Sequence, residues 1–172
     1  NDVKKSDKII LPGQGSFKAC KNGINNIKGL KDELDDSVLV KKKPIYGICA
    51  GMQLFATKGY EEEETSGLNW IPGEVVKLDI KSSNLKIPHM GWNELKIKNQ
   101  SKVFQDVFND NHAYFIHSYE FIPKDKKNVS ITTNYGKDVI AAVSFENIFG
   151  SQFHPEKSQD TGIKILINFL NL

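Results

Sequence analysis

The sequence predicts an α/β protein whose sheet is mostly parallel at its core, is extended by antiparallel strands and is flanked by helices. Two strand-then-helix units follow one another at the start of the chain, an order that favours parallel strands joined by crossovers. From about residue 67 the apolar segments become short and are separated by turn-forming residues, which is typical of antiparallel or mixed sheet. Residues 161–172 carry apolar side chains at helical spacing, so they predict a closing amphipathic helix.

The first half of the chain supplies the parallel part of the predicted sheet. The apolar run Ile9 to Leu11 predicts a strand that ends in a turn rich in Pro and Gly. Spaced apolar positions over residues 18–39 predict one or two helices. Residues 41–48, KKKPIYGI, predict the next strand, and residues 51–60, GMQLFATKGY, predict the helix that follows it.

The second half predicts six further strand segments, each bounded by turn residues or by another strand. They are residues 74–80, 93–99, 113–122, 128–135, 139–147 and 148–155. With 172 residues, 39% of them apolar and 26% charged, the chain has the composition of one globular domain covering residues 1–172.

Composition also argues against several classes of function. The longest apolar runs are far shorter than the roughly 18 to 20 residues that span a bilayer, so no membrane role is expected. The two cysteines, Cys20 and Cys49, are too few for a disulfide framework, which favours a cytoplasmic setting. All 23 basic residues are Lys, and because base and phosphate recognition commonly uses the forked guanidinium of Arg, a nucleic-acid partner is not expected.

The four histidines give no sign of a metal centre. His89, His112 and His117, taken with Cys20, show none of the close spacings of zinc ligands. We therefore expect neither a metal nor another cofactor.

The segment Gly47-Ile48-Cys49-Ala50-Gly51 has the form of a nucleophile elbow. In such an elbow a strand ends abruptly, the nucleophile occupies a strained turn and a helix begins, so the thiol would face solvent at a helix N-terminus that lowers its pKa. The alternative is that Cys49 is a small buried hydrophobe, since free cysteines are among the most often buried residues. The motif by itself leaves both interpretations open.

A base for that nucleophile is found in GSQFHPEKS. His154 and Glu156 are two residues apart, and in an extended chain residues at that spacing face the same side. Glu156 could then orient the imidazole while His154 moves protons for Cys49. The alternative is an exposed turn that ends a strand.

A third segment, PGQG at residues 12–15, is another switch from strand to loop. Its glycines would let backbone N–H groups approach a ligand closely, and one of them could stabilise an oxyanion together with the N–H of Ala50. A plain turn is again the alternative. The spacing of a phosphate-binding P-loop is missing.

In this order, PGQG, GICAGMQ and QFHPEKS resemble the class I (triad-type) glutamine amidotransferases, whose Cys, His and Glu release ammonia from glutamine. The segments PHMGWNEL, AYFIHSYEF and AAVSFENIFGSQFHPEKSQDTG look like those of the glutaminase subunits of imidazole glycerol phosphate synthase. The resemblance covers essentially the whole chain and implies a three-layer, flavodoxin-like sheet flanked by helices. The family normally opens with a further strand, a glycine-containing loop and a helix, so an N-terminal βα unit is expected to be absent here.

The resemblance also implies a role for individual residues. The triad would be Cys49, His154 and Glu156, and the oxyanion donors would be the N–H groups of Gln14 and Ala50, although the family usually carries a larger aliphatic residue than Ala50. The glutamine substrate would be held by Gly13, Gly51, Gln53, Glu61, Ser118 and Tyr119.

The resemblance also implies a partner, because ammonia released from glutamine must pass to a second enzyme without being lost to solvent. In the family it is a (β/α)8-barrel cyclase, joined to the glutaminase as a heterodimer, that makes imidazole glycerol phosphate and aminoimidazole carboxamide ribotide in histidine biosynthesis. The interface residues would be Trp92, Asn93, Tyr114 and Lys157, and glutaminase activity is expected to be low until the partner's ligand is bound. Three alternatives stay open: an amidotransferase that feeds another synthase, such as a nucleotide-sugar one; a hydrolase or peptidase with a Cys elbow; and a non-catalytic binding module.

Overall fold

The computed structural model of the chain describes residues 2–81 and 84–172. Within these residues the α-helices are α1 (Asp2–Lys5), α2 (Phe17–Asn25), α3 (Leu30–Asp35), α4 (Ala50–Gln53) and α5 (Gln159–Leu170). The strands are β1 (Ile9–Gly13), β2 (Ile45–Cys49), β3 (Lys58–Gly59), β4 (Thr65–Ser66), β5 (Gly73–Lys77), β6 (His89–Glu94), β7 (Lys96–Ile97), β8 (His112–His117), β9 (Tyr119–Pro123), β10 (Val129–Asn134), β11 (Asp138–Phe145) and β12 (Ile148–Ser151). A π-helical turn continues α3 over Asp36–Val40, and short 3₁₀ turns cover Lys102–Phe104, Lys126–Asn128 and Pro155–Lys157.

The central sheet has the strand order β1-β2-β12-β11-β10-β7. Strands β1, β2 and β12 are parallel, whereas β11, β10 and β7 are added antiparallel. The predicted parallel core with an antiparallel extension is therefore confirmed. Gly13 is paired with Cys49 and Ile48 with Ser151, so the carboxyl ends of all three parallel strands meet at one edge of the sheet. Open α/β sheets bind their ligands at this edge.

The hydrophobic core occupies both faces of the central sheet. Adjacent residues of β2 point in opposite directions, so the buried side chain of Ile45 joins one cluster and that of Tyr46 joins the other. Helix α2 covers the first face through Phe17 and Ile24. Helix α5 covers the second through Ile165 and Phe169, which gives the predicted three layers. Within the described ranges every helix falls short of the length and hydropathy that a bilayer crossing demands.

Two smaller sheets complete the fold: β4-β3-β5-β9 and the two-stranded ribbon β6-β8. The segment predicted as one strand over residues 113–122 is divided between them. It breaks at Ser118, so that β8 pairs with β6 while β9 pairs with β5. The turn at Ser118 places this residue and Tyr119 near Cys49, at the carboxyl edge of the central sheet.

The helix predicted over residues 51–60 was wrong beyond its first turn. Helix α4 ends at Gln53, and the chain then turns and enters β3. The backbone N–H of Thr57 donates to the carbonyl of Gly73, and that of Tyr60 donates to Val75, both at 2.9 Å. Pairing with β5 thus satisfies the same backbone groups that a longer helix would have used, and tertiary context overrides the local helical spacing.

Candidate active site

Cys49 lies at the junction of β2 and α4, with backbone angles φ 55° and ψ −116°. A positive φ is strained for a residue with a side chain and costs about 1–3 kcal/mol, and such strain is concentrated at functional sites. The strand, the strained residue and the helix follow one another as the elbow motif predicts. The packing of the fold must therefore hold this conformation against its intrinsic cost.

Two predicted substrate residues, Gly13 and Gly51, instead pack the elbow against the neighbouring strand. A Cβ at Gly51 would lie 1.9 Å from the carbonyl oxygen of Leu11, and one at Gly13 would lie 2.1 Å from the backbone nitrogen of Gly51. Only glycine fits both positions, because the start of α4 lies directly on β1. Their geometry favours a structural role, and the substrate contact remains a prediction.

The pKa of the Cys49 thiol is raised, whereas the sequence predicts a lowered one. Burial raises the pKa of this thiol to about 11, although the backbone N–H of Ala50 and the amide of Gln152 act in the opposite direction. Helix α4 has only four residues, so its end contributes little to oppose desolvation. The resting group is a thiol and needs a base to become a nucleophile.

His154 and Glu156 are in contact, as the sequence predicts, but through a 3₁₀ turn over Pro155–Lys157, because β12 ends at Ser151 and does not continue to residue 155. The imidazole Nδ1 of His154 lies 2.7 Å from Oε1 of Glu156, and the ring is buried while the carboxylate is half-exposed. A carboxylate can only accept, so Nδ1 carries a proton, and in the neutral form of the ring it is Nε2 that keeps a lone pair. This is the tautomer that a general base requires.

Backbone bonds fix the position of that pair. The N–H of His154 donates to the carbonyl of Tyr114 at 3.0 Å, and the carbonyl of His154 accepts from the hydroxyl of Ser158 at 2.6 Å. Since β12 runs parallel to β2 and ends beside it, His154 follows β12 at the same sheet edge where Cys49 ends β2. Within residues 2–81 and 84–172, however, the side chain that donates to the sulfur is Gln152, at 3.5 Å.

A pocket of about 260 Å³ opens in front of Cys49. Its wall is formed by Gly15, Cys49, Ala50, Gln53, Glu61, Pro88, Ile116, His117, Ser118 and Tyr119. The PGQG loop therefore reaches the pocket through Gly15. Gln14 is exposed, and its carbonyl accepts from the thiol of Cys20 at 3.5 Å.

A larger cavity of about 1090 Å³ lies between the sheets, but its lining contains no Cys or His.

Glu61 and Gln53 are in the pocket wall, and both also have protein partners. Oε2 of Glu61 accepts from the backbone N–H of Phe17 at 2.7 Å, which ties the pocket to the first residue of α2. Nε2 of Gln53 donates to the carbonyl of Tyr119 at 3.1 Å and to Oε1 of Gln152 at 2.8 Å. Each side chain is thus held in place and has one oxygen outside these bonds.

Sequence reasoning missed a buried pair of histidines, of which His117 is part of the pocket wall. Nδ1 of His89 lies 3.0 Å from Nε2 of His117, whose Nδ1 lies 2.8 Å from the carbonyl of Tyr119. Burial lowers the pKa of His89 to about 4 and that of His117 to about 3. Both rings are neutral at physiological pH. No close spacing marks this pair in the sequence, since only the ribbon β6-β8 sets His89 opposite His117.

The predicted interface residues do not all face the same side of the molecule. Trp92 is 48% exposed and packs edge-on against Tyr114 across the ribbon, with ring centroids 6.0 Å apart. Their neighbours Met90 and Ile116 are also paired and exposed. We call these four residues the ribbon face. Lys157 is exposed on the turn after His154, whose backbone N–H is bonded to Tyr114.

Asn93 points away from the ribbon face, as its place next to Trp92 in a strand requires. Its amide donates to the carbonyl of Asn134 at 2.9 Å and lies 3.2 Å from Nε2 of His89. Contact of Asn93 with a partner therefore remains a prediction that this orientation does not favour.

No group of three or more His, Cys, Asp or Glu side chains within the described ranges is arranged to hold a metal ion.

A strained cysteine at a strand-to-helix elbow and a bonded His–Glu pair at the same sheet edge are the arrangement expected of a thiol-dependent enzyme of the triad type. The family model described as glutamine amidotransferase class-I matches residues 2–172, and the chain belongs to this family. Solved structures with 18% and 19% identity share the fold, each with a TM-score of 0.70. They are a putative GMP synthase protein from Thermoplasma acidophilum, covering 99% of this chain and 74% of its own, and a glutamine amidotransferase, covering 96% and 78%.

Closer relatives bear one particular name, imidazole glycerol phosphate synthase subunit HisH. The protein of that name from Pelagibacter ubique is 53% identical over the whole of this chain and 83% of its own length. HisH 1 from Campylobacter jejuni (strain RM1221) is 48% identical over 99% of this chain and 84% of its own length. HisH from Cereibacter sphaeroides is 43% identical over 98% of this chain and 80% of its own length.

Proposed function

We propose that this chain is the glutaminase subunit of imidazole glycerol phosphate synthase and supplies ammonia for histidine biosynthesis. The observation that carries the proposal is that Cys49, at its strained elbow, ends β2 while the bonded His154–Glu156 pair follows the adjacent parallel strand β12 at the same edge of the central sheet. The names of relatives up to 53% identical support the same function.

The proposed reaction begins when His154 takes the proton of the Cys49 thiol. The thiolate attacks the side-chain amide carbon of glutamine, and the N–H groups of Ala50 and Gln14 stabilise the oxyanion. His154 then gives the proton to the departing ammonia, which leaves a glutamyl thioester. Water, deprotonated by the same imidazole, breaks the C–S bond and releases glutamate.

Binding of the substrate's amino-acid end is proposed at the opposite side of the pocket. Glu61 has one carboxylate oxygen outside its bond to Phe17 and could accept from the ammonium group. The Oε1 of Gln53 is a second acceptor, because its Nε2 is already engaged by Tyr119 and Gln152. The carbonyl of Ser118 accepts from the N–H of Leu78 at 2.9 Å, so a substrate contact at Ser118 would use other atoms.

A partner subunit is implied because the relatives are named as subunits of a synthase. We propose that the partner is a (β/α)8-barrel cyclase and that it docks on the ribbon face, with Lys157 at the rim. The support is physical: Met90 and Trp92 expose 57% and 48% of their surface beside Tyr114, and exposed apolar groups at such density mark an interface. A cytoplasmic location is part of the same proposal.

The test compares two ammonia sources in the complex of this chain with its cyclase. Cys49→Ala should abolish synthesis from glutamine and leave synthesis from ammonium salt unchanged, because the cyclase needs only ammonia. Cys20→Ser is the matched control, since this second cysteine is half-buried outside the pocket wall, and it should keep both activities. Loss of both activities in Cys49→Ala would instead point to a structural role for Cys49.

A paralogous synthase with another acceptor would give a different outcome. The wild-type chain would then release ammonia from glutamine, yet form no imidazole glycerol phosphate with the cyclase. Such a result would retain the glutaminase and reject the pathway.

A further inference from the structure

Gln152 is a fully buried side chain that links the candidate nucleophile Cys49 to Gln53. It has no exposed surface, and its Nε2 donates to Sγ of Cys49 at 3.5 Å. Its Oε1 accepts from Nε2 of Gln53 at 2.8 Å. A buried amide with both ends engaged is held in a single position.

The orientation of both amides follows from one backbone group. The carbonyl of Tyr119 can only accept, so the atom of Gln53 that faces it must be the NH₂ group. The same NH₂ group also donates to Gln152, which must turn its oxygen toward Gln53 and its NH₂ group toward the sulfur. The carbonyl of Tyr119 therefore directs a chain of hydrogen bonds that ends at Cys49.

We propose that Gln152 is a catalytic residue that stabilises the Cys49 thiolate by donating to its sulfur, and that Gln53 is the positioning residue that keeps Gln152 in the donating orientation. A donor aimed at sulfur is worth more to the thiolate than to the thiol, because hydrogen bonds to a charged form favour that form. The thiolate requires such stabilisation at this site, because burial removes the sulfur from water and so disfavours its charged form. The proposal gives Gln53 a role in addition to the substrate contact, and its catalytic consequence rests on the proposed glutaminase reaction.

The sequence carries a signal for this residue. Gln152 stands two positions before His154 in QFHPE, the same spacing that separates His154 from Glu156, and this spacing would place all three side chains on one side if the segment were extended. Three alternate residues of one segment thus carry a donor, a base and an orienting carboxylate.

The test measures how fast Cys49 reacts with iodoacetamide as a function of pH, in a Cys20→Ser background so that one thiol is followed. Gln152→Met keeps the length of the side chain and removes the donor. We expect the apparent pKa of Cys49 to rise by about one unit, which is about a tenfold lower rate at a fixed pH well below the pKa. The reaction depends on thiolate alone, so it tests the role of Gln152 whether or not glutamine is the substrate.

Gln53→Met tests the positioning role. Because Gln53 would act on the sulfur through Gln152, we expect a smaller decrease in alkylation rate, and the double variant should react no more slowly than Gln152→Met alone. Near-ultraviolet circular dichroism shows whether Gln152→Met is folded. If it is not, a decrease in the alkylation rate of Cys49 in Gln53→Met still supports the proposal, and an unchanged rate overturns it.

Ser151→Ala is the matched control, because its buried hydroxyl donates to the carbonyl of Phe153 at 2.8 Å in the same segment and its removal loosens that segment while leaving the donor to sulfur. We expect the pH profile of Cys49 to stay unchanged in this variant. An unshifted profile in folded Gln152→Met, or an equal shift in Ser151→Ala, would overturn the proposal. Additive effects of the two Gln substitutions would overturn the positioning role of Gln53.

Discussion

The imidazole of His154 lies 2.7 Å from the carboxylate of Glu156, although only Pro155 separates the two residues in sequence. The contact fixes which ring nitrogen holds the proton, and Glu156 is the partly exposed member of the pair. In the proposed reaction we therefore expect Glu156 to orient and support the imidazole and His154 to transfer the protons.

This division of roles predicts a graded loss of glutaminase activity. His154→Ala should lower the rate of glutamate formation by at least about 100-fold, because general acid–base catalysis contributes that much or more. Glu156→Gln should lower it less, since the amide oxygen can still accept from Nδ1. Initial rates with the cyclase present measure both, and Glu146→Gln, a surface glutamate 2.6 Å from Lys42, should match wild type. A larger loss in Glu156→Gln than in His154→Ala would contradict the assignment.

The contact between Gly51 and Leu11 predicts a stability effect at the elbow. A methyl group at Gly51 would meet the Leu11 carbonyl at 1.9 Å, so Gly51→Ala should lower the free energy of unfolding by about 1–3 kcal/mol. At Gly23, inside α2, a methyl group would point into open space, with no contact within 4 Å. Gly23→Ala should therefore raise the free energy of unfolding by about 0.5–1 kcal/mol. Urea unfolding followed by circular dichroism distinguishes the two, and equal effects would refute the packing explanation.

The ribbon face predicts where the partner binds. Trp92→Ala should weaken binding of the cyclase by at least about tenfold, because exposed aromatic anchors dominate interface energies. Phe108→Ala is the control, since Phe108 is 63% exposed and lies outside the ribbon face. Titration of labelled cyclase gives the two dissociation constants. Equal weakening by both substitutions would mean that the ribbon face is not the docking surface.

The buried pair His89 and His117 predicts a loss of stability in acid. In the folded chain their pKa values lie at about 4 and about 3, below the ordinary value of 6.5, so the unfolded chain binds more protons between these limits. Stability should be greatest above pH 6.5 and should decrease as the pH falls toward 4, with a slope of about 1.4 kcal/mol per pH unit for each such proton.

Urea midpoints measured between these pH values test the pair. His89→Phe removes one titrating ring and retains the stacking against Phe115 and Tyr135, so the slope should become shallower. Phe108→Ala, at an exposed position without a titrating group, should leave the slope unchanged. An unaltered slope in His89→Phe would show that other groups dominate the acid response.

Much of the fold was readable from local pattern. The strands at Ile9 and Ile45 and the closing helix were predicted because apolar spacing reports directly which face of an element is buried. The helix expected beyond Gln53 was wrong, since the backbone of residues 57–60 pairs with β5, and a pairing partner so distant in sequence leaves no local mark. The break at Ser118 escaped prediction for the same reason.

The sequence by itself determined the chemistry of the site: a cysteine between glycines, a His-Pro-Glu segment and a glycine-rich loop, in an order that identifies the family. Motifs of this kind are local, so the residue types and their spacing carry them. Only the tertiary structure decided where these residues lie and which groups surround them. The parallel pairing of β2 with β12 brings Gln152 to the sulfur of Cys49, and the fold around the elbow buries that sulfur enough to raise its pKa. Desolvation and hydrogen-bond direction depend on neighbours far away in the chain, and for that reason no motif encodes them.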